Sequence, residues 1–484
     1  MDSVDLQTLC CPDCGEGFAF TAVRQPQAPE YSRAYGLLKC HCFQYPVVDS
    51  VAILTKGHVG ILAGHGFMAG EFESKGPEVA EVARLVAAGR GAEALIRCLA
   101  FTPRIELLDR LPGWRFWHTG VVPALGRRWI ERRVGRMLAG DRRKISAEDW
   151  FEHFFGNATA TDPSLLPYYR NRFVLPRTLA ALAVLRTLPT SSKPLLDLAC
   201  GLGPFAHYLT QRRNATRVIG LDFNFYLAWG QKHLIAPRGT FVCADGNQRL
   251  PFKDDALSGA LCSDAFVYFR NKASVLGELK RCAPDKPVIL TRVSNKTAFP
   301  KDGDALDAQG YLDLVPPGQA RAFSEYALVR HYLGRRNPLA SDVTDPAELQ
   351  WDKWLTFVIN GDRLRDVRVE ASDEWPHETG ELTFNPLFER TRLADGQLSC
   401  RFEFPTIWFA YQNGDMYSYH GHGSTCRSDI EVRARADRRD GEVRQLIERF
   451  VLIGLPKRYL RSQLERSADA GSVAESVSHA TACS

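Results

Sequence analysis

Four cysteines near the start of the chain have the spacing of a metal-binding site. They form a CxxC pair and a CxC pair, which consist of Cys11, Cys14, Cys40 and Cys42. Thiolates from two separate turns can face one ion, and four of them make the tetrahedral set that structural zinc prefers. The spacing therefore predicts a zinc ribbon. The short second pair leaves open that His41 or Cys10 replaces one ligand, or that the cluster holds no metal.

A second group of residues, near the middle of the chain, has the spacing of a cofactor site. An apolar strand that contains Asp197 leads into a turn with Gly201 and Gly203, and the next apolar strand ends in Asp222. In such a βαβ unit the turn lets the backbone approach an adenosine-type cofactor, and the acid accepts hydrogen bonds from the ribose hydroxyls. The glycine spacing alone also fits a nicotinamide cofactor. Asp197, just before the turn, instead favours a cofactor with a cationic amino-acid end.

Segments downstream complete this pattern. Residues 241–246 read as a strand that ends in an acid, 250–255 as a Leu-Pro-Phe turn, 256–264 as a buried strand, and 278–290 as a helix and a strand. The series resembles the class I S-adenosylmethionine-dependent methyltransferases of the type that includes the quinone C-methyltransferases. The resemblance implies an α/β fold with a Rossmann-like core.

The same resemblance implies roles for individual residues. The methionine end of the cofactor is expected at Asp197, Ala199, Gly201 and Gly203. The ribose is expected at Asp222, and the adenine at Asp245 with Phe223 or Gly246 beside its ring. Asp264, at the end of the fourth strand, is expected to face the cofactor's amino group or the methyl acceptor. The alternative is that some of these acids are helix caps or solvated loop residues.

The segment after the second cysteine pair resembles the small zinc-ribbon family of methyltransferase-activator subunits. It runs from Tyr45 to Leu54, and Ser50 and Ala52 stand where this family usually has glycine and proline. The resemblance covers about the first 56 residues. It implies a structural module that stabilises or activates a methyltransferase.

Composition excludes several other classes of protein. The chain has 484 residues, of which 45% are hydrophobic and 24% are charged, as in a soluble globular protein of about three domains. No apolar run reaches the ~18 residues of a membrane-spanning helix. The first residues carry Asp2 and Asp5 and no apolar core, so we expect no secretory signal, no membrane partner and a cytoplasmic location.

The net charge of +5 comes from one segment of the chain. Between residues 115 and 144 there are nine basic and two acidic residues, whereas the rest of the chain carries 52 basic and 54 acidic residues. Such a segment can bind RNA phosphates. Few aromatic residues are interleaved with the arginines, so the pattern favours a solvated helix face over an RNA interface.

The flanks of the core read as a helical connector and an α+β C-terminal elaboration. Asn360 and Asp395, each followed by glycine, predict the turns of two hairpins, one of which completes the main sheet. Aromatic residues beside His420 and His422 indicate a wall of the acceptor pocket, with a histidine as general base. The alternative is an aromatic core with surface histidines.

These patterns divide the chain into five segments. They are a zinc ribbon over 1–56, a helical connector over 57–165 with the basic segment 115–144, a cofactor-binding core over 166–297, a C-terminal substrate or cap region over 298–467, and a disordered tail over 468–484. The predicted function is methyl transfer from S-adenosylmethionine to an oxygen, nitrogen or carbon nucleophile of a small molecule or biosynthetic intermediate, with zinc in a structural role. RNA as the acceptor is the alternative, and a non-catalytic scaffold is a second alternative.

Overall fold

The computed structural model describes most of the chain in eleven stretches. These are residues 3–25, 34–60, 76–100, 121–140, 142–155, 165–211, 216–300, 304–341, 344–369, 375–421 and 423–465. The predicted disordered tail over 468–484 therefore lies outside the described residues. Within those stretches, no helix combines the length and the apolar character needed to cross a membrane.

A mixed sheet of eleven strands lies at the centre of the described structure. Its strands are β1 (Ala19–Ala22), β2 (Gly36–Lys39), β3 (Gln44–Val48), β4 (Val51–Ile53), β5 (Leu195–Leu198), β6 (Val218–Asp222), β7 (Thr240–Cys243), β8 (Gly259–Ser263), β9 (Val288–Ser294), β10 (Ala320–Ser324) and β11 (Trp354–Ile359). Their order is β1-β2-β3-β4-β7-β6-β5-β8-β9-β11-β10. Strands β4 to β9 pair in parallel, and β11 runs antiparallel between β9 and β10. The order reverses at β5, as in doubly wound α/β folds, which confirms the predicted Rossmann-like core.

Helices and short turns connect the strands. The helices are α1 (Ser3–Thr8), α2 (Val79–Ala87), α3 (Gly91–Leu99), α4 (Val121–Ala139), α5 (Ala147–Phe155), α6 (Leu165–Arg170), α7 (Pro176–Leu185), α8 (Phe205–Gln211), α9 (Phe225–Gly230), α10 (Lys272–Cys282), α11 (Ala308–Leu312), α12 (Glu325–Leu333), α13 (Ile407–Asn413), α14 (Tyr417–His420), α15 (Ile430–Ala436) and α16 (Gly441–Glu448). Single 3-10 turns occupy Arg142–Lys144, Arg172–Val174, Phe266–Tyr268, Pro338–Ala340, Pro346–Leu349, Asp362–Leu364, Pro376–Glu378 and Gly414–Met416, and a π turn occupies Gln231–Ile235.

Alternation along the parallel strands produces two apolar layers, one on each face of the sheet. Leu261 and Ile289 belong to the layer that contains α7, whereas Cys262 and Leu290 belong to the layer that contains α10. Successive residues of a strand point to opposite faces, so near-continuous apolar strands such as these indicate a sheet that is covered on both sides. The core therefore lies directly above and below β5 and its neighbours.

The N-terminal strands are part of the main sheet. Strands β1 to β4 form an antiparallel meander, and β4 then pairs in parallel with β7. The two-residue turn between β3 and β4 consists of Asp49 and Ser50, with φ values of 48° and 70°. Positive φ at both central residues is the geometry of a type I′ hairpin turn, which glycine adopts more readily than serine.

Residues 375–465, the later part of the predicted C-terminal region, form two small sheets of their own. One pairs β12 (Glu381–Phe384) with β16 (Leu452–Leu455), and the other joins β13 (Phe388–Arg392), β14 (Leu398–Phe402) and β15 (Gly423–Cys426). The hairpin predicted at Asp395 is confirmed, since β13 and β14 flank this turn. The hairpin predicted at Asn360 is wrong. Asn360 does turn the chain, with a φ of 55°, but β11 pairs with β9 and with the earlier strand β10.

Candidate functional site

The carboxyl ends of β5 and β8 border the crevice where the strand order of the sheet reverses. Ligands of open α/β sheets bind at such switch points. Two residues with side chains adopt left-handed backbone here, Ala199 after β5 with a φ of 55° and Asp264 after β8 with a φ of 60°. This conformation costs about 1–2 kcal/mol in a residue other than glycine, and such strain concentrates at functional sites. The strain therefore marks the crevice that contains the predicted glycine turn.

The two glycines of the turn keep its backbone free of side chains. Gly201 has a φ of 49°, and a Cβ atom added at Gly203 would lie 2.9 Å from the carbonyl oxygen of Cys200. A side chain at either position would strain or obstruct the turn. The backbone between β5 and α8 is therefore open to close approach by a ligand.

Two buried acids flank the glycine turn. Asp197 in β5 is 1% exposed, and its Oδ2 atom has no hydrogen-bond partner among the described residues. Burial raises the pKa of Asp197 to about 7. Asp222, at the end of β6, accepts hydrogen bonds from the backbone N–H groups of Gly201 and Asn224, each at 2.8 Å. Burial raises the pKa of Asp222 to about 6.

The unpartnered oxygen of Asp197 is a test of which cofactor the turn can hold. A buried carboxylate oxygen without a donor is costly unless a ligand supplies a hydrogen bond or a positive charge. A ligand with an ammonium group beside the turn meets both needs, whereas a pyrophosphate would be repelled. The residues present therefore fit S-adenosylmethionine, whose methionine end carries such a group.

The other predicted cofactor residues lie on the side of β6 and β7. The carboxylate of Asp245 accepts a hydrogen bond at 2.9 Å from the backbone N–H group two residues later, which is a loop-cap contact. A Cβ atom at Gly246 would lie 2.8 Å from the Phe269 ring. Phe223 follows β6, and its carbonyl oxygen lies only 1.9 Å from the position that a Cβ atom of Gly60 would take. Gly60, which sequence reasoning missed, thus brings the chain after the ribbon against this side of the crevice.

Asp264 is surrounded by charged side chains. Its Oδ2 atom accepts a hydrogen bond from the Tyr168 hydroxyl at 2.8 Å, lies 3.5 Å from Nη1 of Arg172, and contacts Nη1 of Arg177 directly. Its Oδ1 atom lies 3.3 Å from Nε of Arg292. Burial alone would raise the pKa of Asp264, but the three guanidinium groups outweigh burial and hold this pKa below its usual range. A carboxylate with a lowered pKa is a weak base and is poorly suited to remove a proton from the acceptor. The predicted contact of Asp264 with the cofactor's amino group or the acceptor stays a prediction.

Sequence reasoning missed these arginines, although a signal for them was present. Arg292 interrupts the apolar strand β9, and Arg177 lies in the fully buried helix α7. A charged residue inside an apolar element is rare unless it is paired or functional. Their positions therefore pointed to a site before any contact was known.

His420 lies inside the C-terminal region, stacked between Phe388 and Phe450 with ring centroids 6.0 and 5.1 Å away. It is 2% exposed, and neither ring nitrogen has a hydrogen-bond partner among the described residues. Burial lowers the pKa of His420 to about 3. The aromatic core of the alternative is present, but His420 is buried in it and is not a surface histidine. A base role for His420 stays a prediction. His422 lies outside the described residues.

The fold brings the four predicted metal ligands together. Their sulfur atoms all lie within 4.8 Å of one another in a group made of Cys11, Cys14, Cys40 and Cys42. The Cys42 sulfur lies 3.5 Å from that of Cys11 and 3.4 Å from that of Cys40. Zinc–sulfur bonds of about 2.3 Å in a tetrahedron place sulfur atoms roughly 3.8 Å apart. The spacing therefore fits one zinc ion.

The two alternative ligands have other surroundings. Nδ1 of His41 lies 2.7 Å from the carboxylate of Glu16, in an exposed pair. Possible ligand atoms of His41 and Glu16 lie within 4.8 Å of each other and of the Cys14 sulfur, but these two residues do not belong to the four-sulfur group. Cys10 is buried and lies in neither group. The arrangement thus favours four cysteines over a set with His41 or Cys10.

Comparison with known proteins agrees with this fold. Residues 196–286, which include the glycine turn, match the family of methyltransferase domains. No curated protein matches the chain. Among solved structures, the chain is similar to one in the complex between the Haloferax volcanii Trm112 methyltransferase activator and a methyltransferase, with 16% identity, a TM-score of 0.28, and coverage of 40% of this chain and 91% of the other.

Two further structures are similar at the same level. A TehB-like S-adenosylmethionine-dependent methyltransferase from Corynebacterium glutamicum has 15% identity and a TM-score of 0.28, with coverage of 38% and 87% of the two chains. Phosphoethanolamine N-methyltransferase 2 from Haemonchus contortus has 14% identity and a TM-score of 0.32, with coverage of 46% and 60%. The domain match and the strand order define a class I methyltransferase domain. Residues 196–286 thus belong to a methyltransferase domain, and such a domain favours an enzyme over a scaffold.

Proposed function

We propose that the protein methylates an oxygen, nitrogen or carbon nucleophile of a small molecule or biosynthetic intermediate, held over the crevice between β5 and β8. The observation that carries this proposal is the buried Oδ2 atom of Asp197, which lacks a donor beside an open glycine turn. An ammonium group at that point supplies both the missing hydrogen bond and the missing charge.

Each predicted cofactor residue then has a distinct part. Asp197 holds the ammonium group, and the turn made by Ala199, Gly201 and Gly203 leaves room for the methionine chain. Asp222 already orients its carboxylate through two backbone N–H groups, and it accepts from the ribose hydroxyls. The adenine lies beside β7, where Phe223, Asp245 and Gly246 form the wall, as in the quinone-type enzymes that the core resembles.

The chemistry asks little of the protein beyond alignment. S-adenosylmethionine supplies, when bound, a methyl group that is already activated on a sulfonium. The chain must hold the acceptor atom in line with that methyl group and exclude water, and such positioning supplies much of the rate gain. Asp264 and its arginines border the crevice on the side of β8, where the acceptor would be held.

The N-terminal ribbon has a structural role in this proposal. Four thiolates at the tip of the meander hold one zinc ion, and the meander extends the sheet of the catalytic domain through β4 and β7. The zinc therefore fixes an edge of the methyltransferase sheet. This arrangement supports an activator-like module fused to its own methyltransferase.

Calorimetric titration with S-adenosylhomocysteine tests the proposal. Asp197→Asn is expected to weaken binding by about tenfold or more, because the amide cannot balance an ammonium group. The exposed Asp304→Asn is the matched control and should bind like the wild-type protein. If the wild-type protein does not bind S-adenosylhomocysteine, the proposal fails. If S-adenosylhomocysteine does bind, mass spectrometry of ligands that co-purify with the protein would identify the acceptor class.

The pH dependence of the same titration gives a second readout. Because the pKa of Asp197 is raised to about 7, this group is protonated below that pH and cannot balance an ammonium group. Affinity should therefore rise as the pH increases from about 6 to 8. The Asp197→Asn variant should lose this dependence, and a pH-independent wild-type affinity would contradict the role of Asp197.

RNA is a second candidate acceptor, favoured by one surface. Along α4, Arg128, Arg132 and Arg136 are exposed on one face, and Trp129 beside them is 56% exposed. Arginines with an exposed aromatic ring can contact phosphates and stack on a base. Salt-sensitive RNA binding that is lost in Arg132→Glu/Arg136→Glu would support this candidate. Binding that ignores salt concentration would exclude it.

A further inference from the structure

Three buried arginines converge beside the crevice. Arg172 and Arg177 come from the segment before β5, and Arg292 comes from β9; their exposed fractions are 5%, 3% and 2%. Asp264 lies between all three, and Glu325 accepts a hydrogen bond from Nη1 of Arg292 at 3.1 Å. Guanidinium groups stay charged when buried, so this burial is costly unless every charge and N–H group finds a partner.

Arg292 is placed by an irregularity of the sheet. Its φ is 49°, and the pairing of β9 with β11 changes register between Leu355 and Phe357. This bulge stacks the guanidinium group on the Trp354 ring, with 4.1 Å between Cζ and the ring centroid. Bulges near active sites re-aim side chains, and a left-handed arginine is unfavourable by itself. The fold therefore strains its backbone to hold this side chain in place.

The cluster has more donors than acceptors. Each guanidinium group offers five N–H donors, and the acceptors in contact are two carboxylates and the Tyr168 hydroxyl. Within the part of the chain that the structure describes, Nε of Arg172, Nε of Arg177 and Nη2 of Arg292 are buried without a hydrogen-bond partner. Buried donors are seldom left unpaired. A group with several oxygen lone pairs would supply the partners that these N–H groups lack.

We propose that Arg177 and Arg292 bind an anionic oxygen group, a carboxylate or a phosphate, of the methyl acceptor; this rests on the function proposed above. Asp264, Glu325 and Trp354 hold the two guanidinium groups apart and oriented. Asp264 is then a positioning residue, and the acceptor is an acid or a phosphorylated compound. Binding through a planar guanidinium pair would fix the acceptor rigidly, as in-line methyl transfer requires.

The cofactor also carries a carboxylate, and the geometry separates the two uses. Of the three arginines, Arg172 lies against the glycine turn, with Nη2 3.6 Å from the position of a Cβ atom at Gly203. Its charge also lowers the pKa of Asp197 against the larger effect of burial. All three arginines contact Asp264, so the position of Arg172 against the glycine turn is what distinguishes it from Arg177 and Arg292. We therefore assign Arg172 to the cofactor and the other two to the acceptor.

The experiment uses the full chain saturated with S-adenosylhomocysteine, and inorganic phosphate and acetate as probes. Chloride at equal ionic strength corrects for general salt effects. The wild-type complex is expected to show a saturable rise in melting temperature with one of the probes. Arg177→Lys and Arg292→Lys keep the charge but lose the planar donor pair. Each should lower the affinity for the probe by about tenfold. Both should leave S-adenosylhomocysteine affinity within about threefold.

Two further variants separate the possible outcomes. Arg172→Lys should weaken the binding of S-adenosylhomocysteine but not of the probe. Arg97→Lys is the control: Arg97 lies on α3, forms ion pairs with two glutamates, and should affect neither affinity when substituted. If Arg177→Lys and Arg292→Lys weaken the binding of S-adenosylhomocysteine but not of the probe, the cluster binds the cofactor and the proposal is overturned. A wild-type complex that binds neither probe overturns it as well, even where the lysine variants do not fold. Absence of S-adenosylhomocysteine binding would instead remove the function on which it rests.

Discussion

Two regions extend the methyltransferase core, and they are attached to it in different ways. The N-terminal ribbon continues the main sheet by backbone pairing of β4 with β7. The C-terminal region over 375–465 forms separate sheets and contacts the segment before β5 through backbone and side-chain hydrogen bonds. Arg458 donates a hydrogen bond to the carbonyl oxygen of Ile145 at 2.8 Å, and the Tyr459 hydroxyl donates to that of Tyr169, also at 2.8 Å.

The ribbon, unlike the C-terminal region, is part of the fold of the core itself. Side chains of the ribbon enter both apolar layers, with Val51 and Ile53 in one and Ala52 and Leu54 in the other. A strand buried on both faces behaves like a central strand of a parallel sheet. The C-terminal region instead adds its own strands and packs into one of the two layers, which it shares with α7 and α8. We therefore expect losses in the ribbon to spread further.

Loss of the zinc ion proposed above should have the largest effect. Structural zinc contributes about 10–16 kcal/mol in small zinc peptides, and Cys14→Ser or chelation should lower the free energy of unfolding of the whole chain by roughly half of that. The reason is that the ribbon strands complete the buried edge at β7. Thermal unfolding followed by circular dichroism, with metal content measured on the same sample, checks this.

Cys10→Ala is the matched control for the metal prediction, since this neighbouring cysteine is buried but lies outside the four-sulfur group. It should retain one equivalent of zinc. If chelation melts a small transition and leaves the main one unchanged, the ribbon is an independent module and the contrast with the C-terminal region disappears.

Asp49→Asn should have the next largest effect. Asp49 is 1% exposed, and its Oδ2 atom accepts hydrogen bonds at 2.9 Å from Trp229 on α9 and from Arg142. Asparagine tolerates the left-handed backbone at this turn, so the substitution keeps the turn while it removes the charge and one acceptor oxygen. Uncompensated buried cations are costly, and urea unfolding should show a loss of about 2–4 kcal/mol. The exposed Asp304→Asn should change little, and equal losses in both variants would contradict a special role for Asp49.

Local patterns predicted the core and the ribbon. The glycine turn and Asp222 lie within one βαβ unit. One cysteine pair precedes β1 and the other lies between β2 and β3, so residues that act together are separated by few elements. The docking of β4 on β7 was beyond such reasoning, because it joins positions 190 residues apart. Nothing in a short apolar strand states which edge it will extend.

The residues around Asp264 show the opposite limit. Arg172, Arg177 and Arg292 are separated from it by strands and helices, and only the folded sheet brings them together. The turn at Asn360 was recognised, but its pairing was not, because the partner strand β10 precedes it by a helix. Histidines among aromatic residues suggested a pocket, whereas burial of His420 depends on the distant Phe450.

Tyr459→Phe tests the side-chain attachment of the C-terminal region. The Tyr459 hydroxyl is buried and donates to the carbonyl oxygen of Tyr169 at 2.8 Å. Removal of one such hydrogen bond without loss of packing costs about 1–1.5 kcal/mol, well below the loss expected for Asp49→Asn. Urea unfolding measures it, with Tyr326→Phe, which is 52% exposed, as the control. A loss as large as that of Asp49→Asn would show that both regions are equally coupled to the core.

Ser50→Gly should have the smallest effect and the opposite sign. Ser50 has a φ of 70°, and its backbone N–H donates to the carbonyl oxygen of Ala34 at 2.7 Å, a bond that glycine keeps. Relief of left-handed backbone, worth about 1–2 kcal/mol, is partly offset by the greater freedom of glycine in the unfolded chain. We expect a gain of about 0.5–1 kcal/mol in urea unfolding. Gly57→Ala is the mirror control, since Gly57 has a φ of 79° and no atom within 4 Å of an added Cβ. If strain at this end of the chain affects the stability of the whole sheet, Gly57→Ala should lower the free energy of unfolding by about as much as Ser50→Gly raises it. If neither substitution changes the free energy of unfolding, the ribbon unfolds separately from the core.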